Sequence, residues 1–304
     1  MTSASAIYDI ANKLGFDACG IAKLSIIEDQ AFYRAWISNG YNGEMSYMSK
    51  NIDIRLNPIH LMPEAKSIIM LAINYLSESN NKFIEYSNLK ISRYALGKNY
   101  HNYIRKKLKH FKTQLQSEFS GIILRPFVDT APVLEKYWAK KTGIGTIGKN
   151  TCLIIPHKGS WFFLAGMLCN IDFVSNTPQI ENYCGNCTKC IDACPTKALV
   201  SPYVLDSRKC ISYLTIEKKG DFFENQCKWS QWIWGCDICQ EVCPQNSKAV
   251  GSLFTEFELL PQIQQLGNSQ SPISEAYFEQ HFKGTSLYRG GNEQICRNIA
   301  HVKK

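Results

Sequence analysis

The chain has 304 residues, 45% of them hydrophobic, which is enough for one large core with a smaller unit attached. Its charge of +8 is compatible with a polyanionic partner such as RNA, but the excess is spread out, and a solvated basic surface explains it as well. Thirteen cysteines and no secretory leader exclude a small secreted disulfide scaffold, and the longest apolar run, Trp161 to Cys169, is too short for a membrane span, so a soluble cytoplasmic protein is expected.

In chain order, residues 4–14 read as a helix with Ile7, Ile10, Ala11 and Leu14 on one face, ended by Gly15. Ala18 to Leu24 reads as a strand, and residues 28–39 as a second helix that stops at Gly40. The unbroken apolar run Ser67 to Tyr75 predicts a buried central strand. Residues 76–91 are polar and read as a surface loop. After Ser92 to His101 comes an amphipathic helix with Ile104, Leu108, Phe111, Leu115 and Phe119 inward. Its other face carries Arg105, Lys106, Lys107, Lys109 and Lys112, a solvated stripe or a surface for phosphates. Ile122 to Val128 reads as a strand, and Asp129, three residues before Pro132, as the cap of a following helix.

Gly143, Gly145 and Gly148 imitate phosphate-binding loops without satisfying them. Asn150 stands where the Walker pattern needs a hydroxyl, and the dinucleotide pattern would have to follow a strand. These glycines are expected to turn tightly or to let the backbone approach a bulky ligand. Cys152 to Ile155 and Ser160 to Leu168 read as a hairpin across His157 to Gly159. The tail reads as helical over Phe254 to Leu260, over Ile273 to Phe282, and through Ile295 and Ile299.

The strongest signal is the run Cys184-x2-Cys187-x2-Cys190-x3-Cys194-Pro195, the spacing of a bacterial iron–sulfur site. Cys236-x2-Cys239-x3-Cys243-Pro244 repeats it one cysteine short, and Cys210 is the natural substitute. In such runs the fourth cysteine serves the other cluster. One [4Fe–4S] cluster therefore takes Cys184, Cys187, Cys190 and Cys243, and the second takes Cys194, Cys210, Cys236 and Cys239. Cys227 is the alternative to Cys210, while Cys19, Cys152, Cys169 and Cys296 read as buried or incidental thiols. Zinc competes for CxxC pairs, but zinc sites usually use two separated pairs.

The segments VDTAPVLEK (128–136), GIGTIGKNTCLI (143–154), GSWFFLAGML (159–168) and CISYLTIE (210–217), with the two cysteine runs, resemble the epoxyqueuosine reductase family. Weaker echoes are RLNPIHLMPEAKSII (55–69), SRYALGKNYH (92–101) and FKGTSLYRGGNEQICRNIA (282–300). The resemblance implies an α+β fold in three parts. A cobalamin-binding α/β domain (1–175), nitroreductase-like as in reductive dehalogenases, precedes a ferredoxin-like two-cluster domain (176–250) and a short helical tail (251–304). Many family members continue into a C-terminal helical-repeat segment, and this chain stops at Lys304, leaving tRNA contact to the main body.

The implied reaction removes the epoxide oxygen of epoxyqueuosine at the tRNA wobble position, leaving an alkene and water. It needs two electrons and two protons, which side chains alone do not supply. The resemblance implies cobalamin and two [4Fe–4S] clusters, a tRNA substrate, an external one-electron donor of flavodoxin or ferredoxin type, and a monomer. No DxHxxG motif is present, consistent with cobalamin held without a protein histidine below cobalt. Asp129 is the implied general acid, with a pKa raised by a poorly solvated pocket. Asp129, Arg55, Tyr94, Asn150, Leu153, Ser212, Cys236 and Asp237 are the implied cobalamin contacts. The competing readings are a reductive dehalogenase, a ferredoxin fused to a structural domain, and a cobalamin-processing protein.

Overall fold

The computed structural model describes residues 4–174, 182–222, 229, 231–269 and 273–303. Cys227, the alternative cluster ligand, lies outside them. The spine is the strand Ser67–Asn74, buried along its whole length. Alternation sends Ile69, Leu71 and Ile73 to one face and Ile68, Met70 and Ala72 to the other. It pairs antiparallel with Ala18–Lys23 on one side and Phe162–Cys169 on the other, and Leu124–Phe127 forms the far edge. The helices Ser5–Lys13 and Tyr100–Glu118 cover the Ile69 face. Gln30–Ser38 and Glu135–Lys141 cover the Ile68 face through Tyr33, Trp138 and Ala139. Covering both faces explains the unbroken apolar run in an antiparallel sheet, and each fully buried Ile or Leu contributes about 1.5–3 kcal/mol. Gly166 is required in this sheet, because a Cβ there would lie 2.5 Å from the Phe127 ring and 2.6 Å from the Ile69 carbonyl oxygen.

A second core ties the tail to the body. Trp232–Trp234 runs parallel to Lys90–Ile91, and Ile295 and Ile299 of the helix Gly291–Val302 pack into the same cluster as Ile233 and Phe278. Asn298, fully buried, donates to the Thr215 and Ile233 carbonyls, both at 2.8 Å. Packing therefore crosses the boundaries drawn at 176 and 251, since residues 83–96 share this core with the tail.

Several local expectations are corrected. Residues 76–91 are not simply loop: Ser77 caps a helix, Glu78–Tyr86, by accepting from the Asn80 N–H, and Phe83 and Ile84 anchor it. Phe162–Cys169 does not form a hairpin with Cys152–Ile155. It enters the main sheet, while Leu153–Ile154 pairs with Thr146–Ile147. Phe254 to Leu260 holds only the single turn Thr255–Phe257, because the helix beyond it starts at Pro261, where proline suits the first helical position. Asp129 caps nothing: it has φ 56°, and the next helix begins at Glu135. Lys107 leaves the basic stripe, with its ammonium 4.2 Å from the Phe254 ring centroid and bonded to the Leu14 carbonyl. Among the described residues no helix is long and apolar enough to cross a membrane.

Candidate active site

The glycine bend builds the joint between the sheet and the cysteine runs. Gly145 has no room for a Cβ, which would stand 2.4 Å from the Ile154 carbonyl oxygen. The tight hairpin Thr146–Ile147/Leu153–Ile154 pushes Lys149 and Asn150 out at its tip. Lys149 donates its N–H to the Cys184 sulfur at 3.4 Å and its ammonium to the Gly185 and Cys187 carbonyls at 2.6 and 3.0 Å. Asn150 Nδ2 donates to the Cys239 carbonyl at 3.1 Å. One loop tip thus grips both cysteine runs.

The eight candidate ligands fall into two groups. Cys184, Cys187, Cys190 and Cys243 line a cavity of about 80 Å³. It lies at the surface, beside the exposed residues Gly185, Asn186, Thr188 and Lys189. Cys194, Cys210, Cys236 and Cys239 line a separate cavity of about 360 Å³. Among the described residues no three His, Cys, Asp or Glu side chains close on a point fit for one bare metal ion. The donors ring spaces instead, and backbone N–H groups aim at sulfur, as Ala198 does to Cys194 at 3.3 Å. Burial pushes the Cys210 and Cys236 thiols up, so iron must displace their protons on binding. Cys152 is not incidental. It lines the larger cavity together with Cys239, and its thiol faces the Asn150 carbonyl at 3.8 Å.

Part of the larger cavity's wall is aromatic, formed by Tyr75, Tyr94, Tyr100, Phe162 and Phe163. Of the implied cobalamin contacts, Tyr94, Asn150, Ser212 and Cys236 line it, and Asn150 also lines the smaller cavity. Arg55, Asp129, Leu153 and Asp237 line neither cavity. Leu153 is buried in the core under the sheet. Arg55 is buried and donates to the Tyr47 carbonyl at 3.0 Å, while its Nε has no hydrogen-bond partner. Such an orphaned donor is costly without an acceptor, which a bound polar group would provide. Asp237 turns away from the cavity into a buried network. It accepts from Ser92 Oγ and the Arg93 N–H, and pairs with the Arg93 guanidinium at 3.0 Å. Arg93 also reaches Glu241 at 2.7 Å. Arg93→Met leaves Asp237 as an uncompensated buried charge and should destabilise the protein by about 3–5 kcal/mol, read from the denaturant midpoint.

Beside the aromatic wall stands a proton-carrying pair that spacing did not reveal. Asp129 Oδ2 lies 3.0 Å from His101 Nε2. Asn99 Oδ1 accepts the His101 backbone N–H at 3.0 Å, which identifies that atom as the oxygen, and it also faces His101 Nδ1 at 3.0 Å. Nδ1 must therefore carry a hydrogen, and Nε2 is the atom that exchanges a proton with Asp129. Tyr100 stacks on His101 at 4.1 Å and on Phe163 at 4.1 Å, fixing the imidazole beside the cavity. The expectation of a raised Asp129 pKa is corrected. The hydrogen bond from His101 holds its carboxyl below the usual range and outweighs desolvation. The raised carboxyl is Glu135, pushed up to about 8 by poor solvation, with the Asp129 charge adding to the effect. Its Oε1 accepts the Asp129 N–H at 2.7 Å.

Two thiol-lined cavities, one opening into an aromatic chamber beside a His–Asp pair, define a two-cluster iron–sulfur oxidoreductase. Residues 183–246 match the 4Fe-4S double cluster binding domain, and residues 55–130 match Epoxyqueuosine reductase QueG, DUF1730. The chain is 43% identical to an epoxyqueuosine reductase of Leadbetterella byssophila, covering 97% of this chain and 96% of that one. It superposes on an epoxyqueuosine reductase bound to an epoxyqueuosine-modified tRNA-Tyr stem loop with TM-score 0.85 and 32% identity, covering 98% of this chain and 80% of the other. It also superposes on the Bacillus subtilis epoxyqueuosine reductase with its catalytic aspartate loop swung out of the active site (TM-score 0.86, 31% identity, 98% and 80% covered). The chain belongs to the epoxyqueuosine reductase family.

Proposed function

We propose that the chain reduces epoxyqueuosine to queuosine in tRNA. The observation that carries this reading is one chamber that holds four cysteine thiols on one side and the Tyr100–His101–Asp129 arrangement beside its aromatic wall. The two cysteine sets suit two [4Fe–4S] clusters. The aromatic wall and Ser212 suit an amide-rimmed macrocycle such as cobalamin, with Tyr94 and Asn150 beside it. When bound and reduced, cobalamin supplies a cobalt-centred nucleophile able to open an epoxide.

The chain's own part is proton delivery and exclusion of water. The His101 Nε2–Asp129 Oδ2 pair, 3.0 Å apart, supports a reading in which it protonates the oxygen released from the ring. Tyr100 holds this pair against the aromatic wall. The exposed loop Gly185 to Lys189 is where an external one-electron donor, of flavodoxin or ferredoxin type, meets the outer thiol set. The exposed Arg105, Lys106 and Lys109 are available to tRNA phosphates. The setting we propose for it is a cytoplasmic monomer.

The test is anaerobic incubation of cobalamin-loaded protein and a reductant with tRNA carrying epoxyqueuosine. The expected result is conversion to queuosine by protein carrying about eight irons per chain. Protein that holds iron, binds no cobalamin and leaves the epoxide intact would instead be an electron carrier.

A further inference from the structure

Asp129 sits at φ 56°, a left-handed conformation that side-chain-bearing residues seldom adopt. Two contacts bracket it: its carboxyl meets His101, and its N–H donates to Glu135 Oε1 at 2.7 Å. The segment between them is tightly folded, with the Thr130 N–H on the Val128 carbonyl at 2.6 Å and the Val133 N–H on the Ala131 carbonyl at 2.8 Å. Glu135 opens the helix Glu135–Lys141, which Trp138 and Ala139 anchor under the sheet. A first-turn glutamate usually favours its own helix's unpaired N–H groups. Glu135 reaches back six residues instead, and its Oε1 accepts the N–H of Asp129.

We infer that Glu135 is a positioning residue: it latches the Asp129 loop from the rigid end of a helix and keeps the Asp129 carboxyl against His101. The inference rests on the proton-donor reading of Asp129, although its first readout does not. The groups facing Glu135 are Asp129 on the loop, Arg55 on the helix Ile52–Leu56, its neighbour Lys136, and Tyr100. Poor solvation dominates among these, and with its pKa near 8 the carboxyl is largely neutral at pH 7. A neutral acid accepts the amide through its carbonyl oxygen, as a glutamine would. Glutamine keeps a carbonyl oxygen at the same reach, so it preserves the acceptor that the 2.7 Å contact requires.

The experiment compares wild type, Glu135→Gln and Glu135→Ala as cluster- and cobalamin-loaded proteins, by hydrogen exchange over residues 128–134 and by steady-state turnover at pH 7. Gln should keep wild-type protection and a kcat within about threefold, because the acceptor survives. Ala should speed exchange of the Asp129 amide about tenfold or more and lower kcat about 10–100-fold, with KM for tRNA unchanged. If Ala fails to fold, Glu135→Met supplies the bulk without the acceptor. Protection in Ala or Met equal to wild type overturns the latch whatever the turnover, and so does a Gln variant as impaired as Ala. Wild-type protein that turns over no epoxyqueuosine overturns the catalytic reading, and the exchange data still decide the latch.

Discussion

Asp129→Asn should lower kcat by about 10²–10⁴-fold, the usual contribution of a positioned general acid, while iron content and tRNA affinity stay unchanged. An amide keeps the size of the side chain and a hydrogen bond to His101, but it neither accepts nor delivers a proton. Intact turnover in this variant would remove Asp129 from the chemistry. The companion variant His101→Leu carries a sign. The His101 hydrogen bond is the largest influence lowering the Asp129 pKa, and desolvation opposes it. Removing the imidazole should therefore raise that pKa, and the alkaline limb of the pH–rate profile, where a general acid loses its proton, should move upward with it. The same depression makes a stability prediction. A carboxyl whose pKa is lower folded than unfolded adds stability above its unfolded value, about 3.9, and loses it as pH falls through the folded value. The side chain is half exposed, so solvent screens this contribution and it should be small.

Cys210→Ala should leave about four irons per chain in place of about eight, and turnover should disappear with the lost cluster. Cys210 immediately precedes the helix Ile211–Ile216. It shares its cavity with Cys194, Cys236 and Cys239. Spacing alone left it a substitute for a missing member of the second run. Iron analysis with the electronic spectrum of the reduced protein checks the assignment. Retention of eight irons would move the ligand elsewhere. Cys152 is the first place to look, since it lines the same cavity as Cys239, and Cys152→Ser in the same background would reveal it.

Much of this was legible in the chain because it is local. A strand buried on both faces has to be apolar at every position, so Ser67–Asn74 announced itself. Ligand loops need fixed gaps, so the cysteine runs announced the clusters and even their crossed partition into two cavities. Asp129 was found through the resemblance of VDTAPVLEK, but its chemistry was misjudged because the partner that sets its pKa lies 28 residues upstream. His101 stood inside a quoted segment, SRYALGKNYH, with nothing in the spacing to single it out. Glu135 lies within VDTAPVLEK, with nothing in the spacing to tie it to the Asp129 amide.

The sequence by itself determined the strands with a two-sided apolar pattern, the two cluster loops and the family. Each of these is written in periodicity or spacing over a few residues. Only the tertiary structure decided which polar groups meet. It turned Asp237 into the partner of Arg93 and withdrew Leu153 into the core. It set Cys152 beside a proposed cluster ligand, and bracketed Asp129 between an imidazole on one helix and a carboxyl on another. Such contacts join residues far apart in the chain. They arise from how the helices and the hairpin dock on the sheet, and that is fixed by the packing of whole faces, not by the residues that do the chemistry.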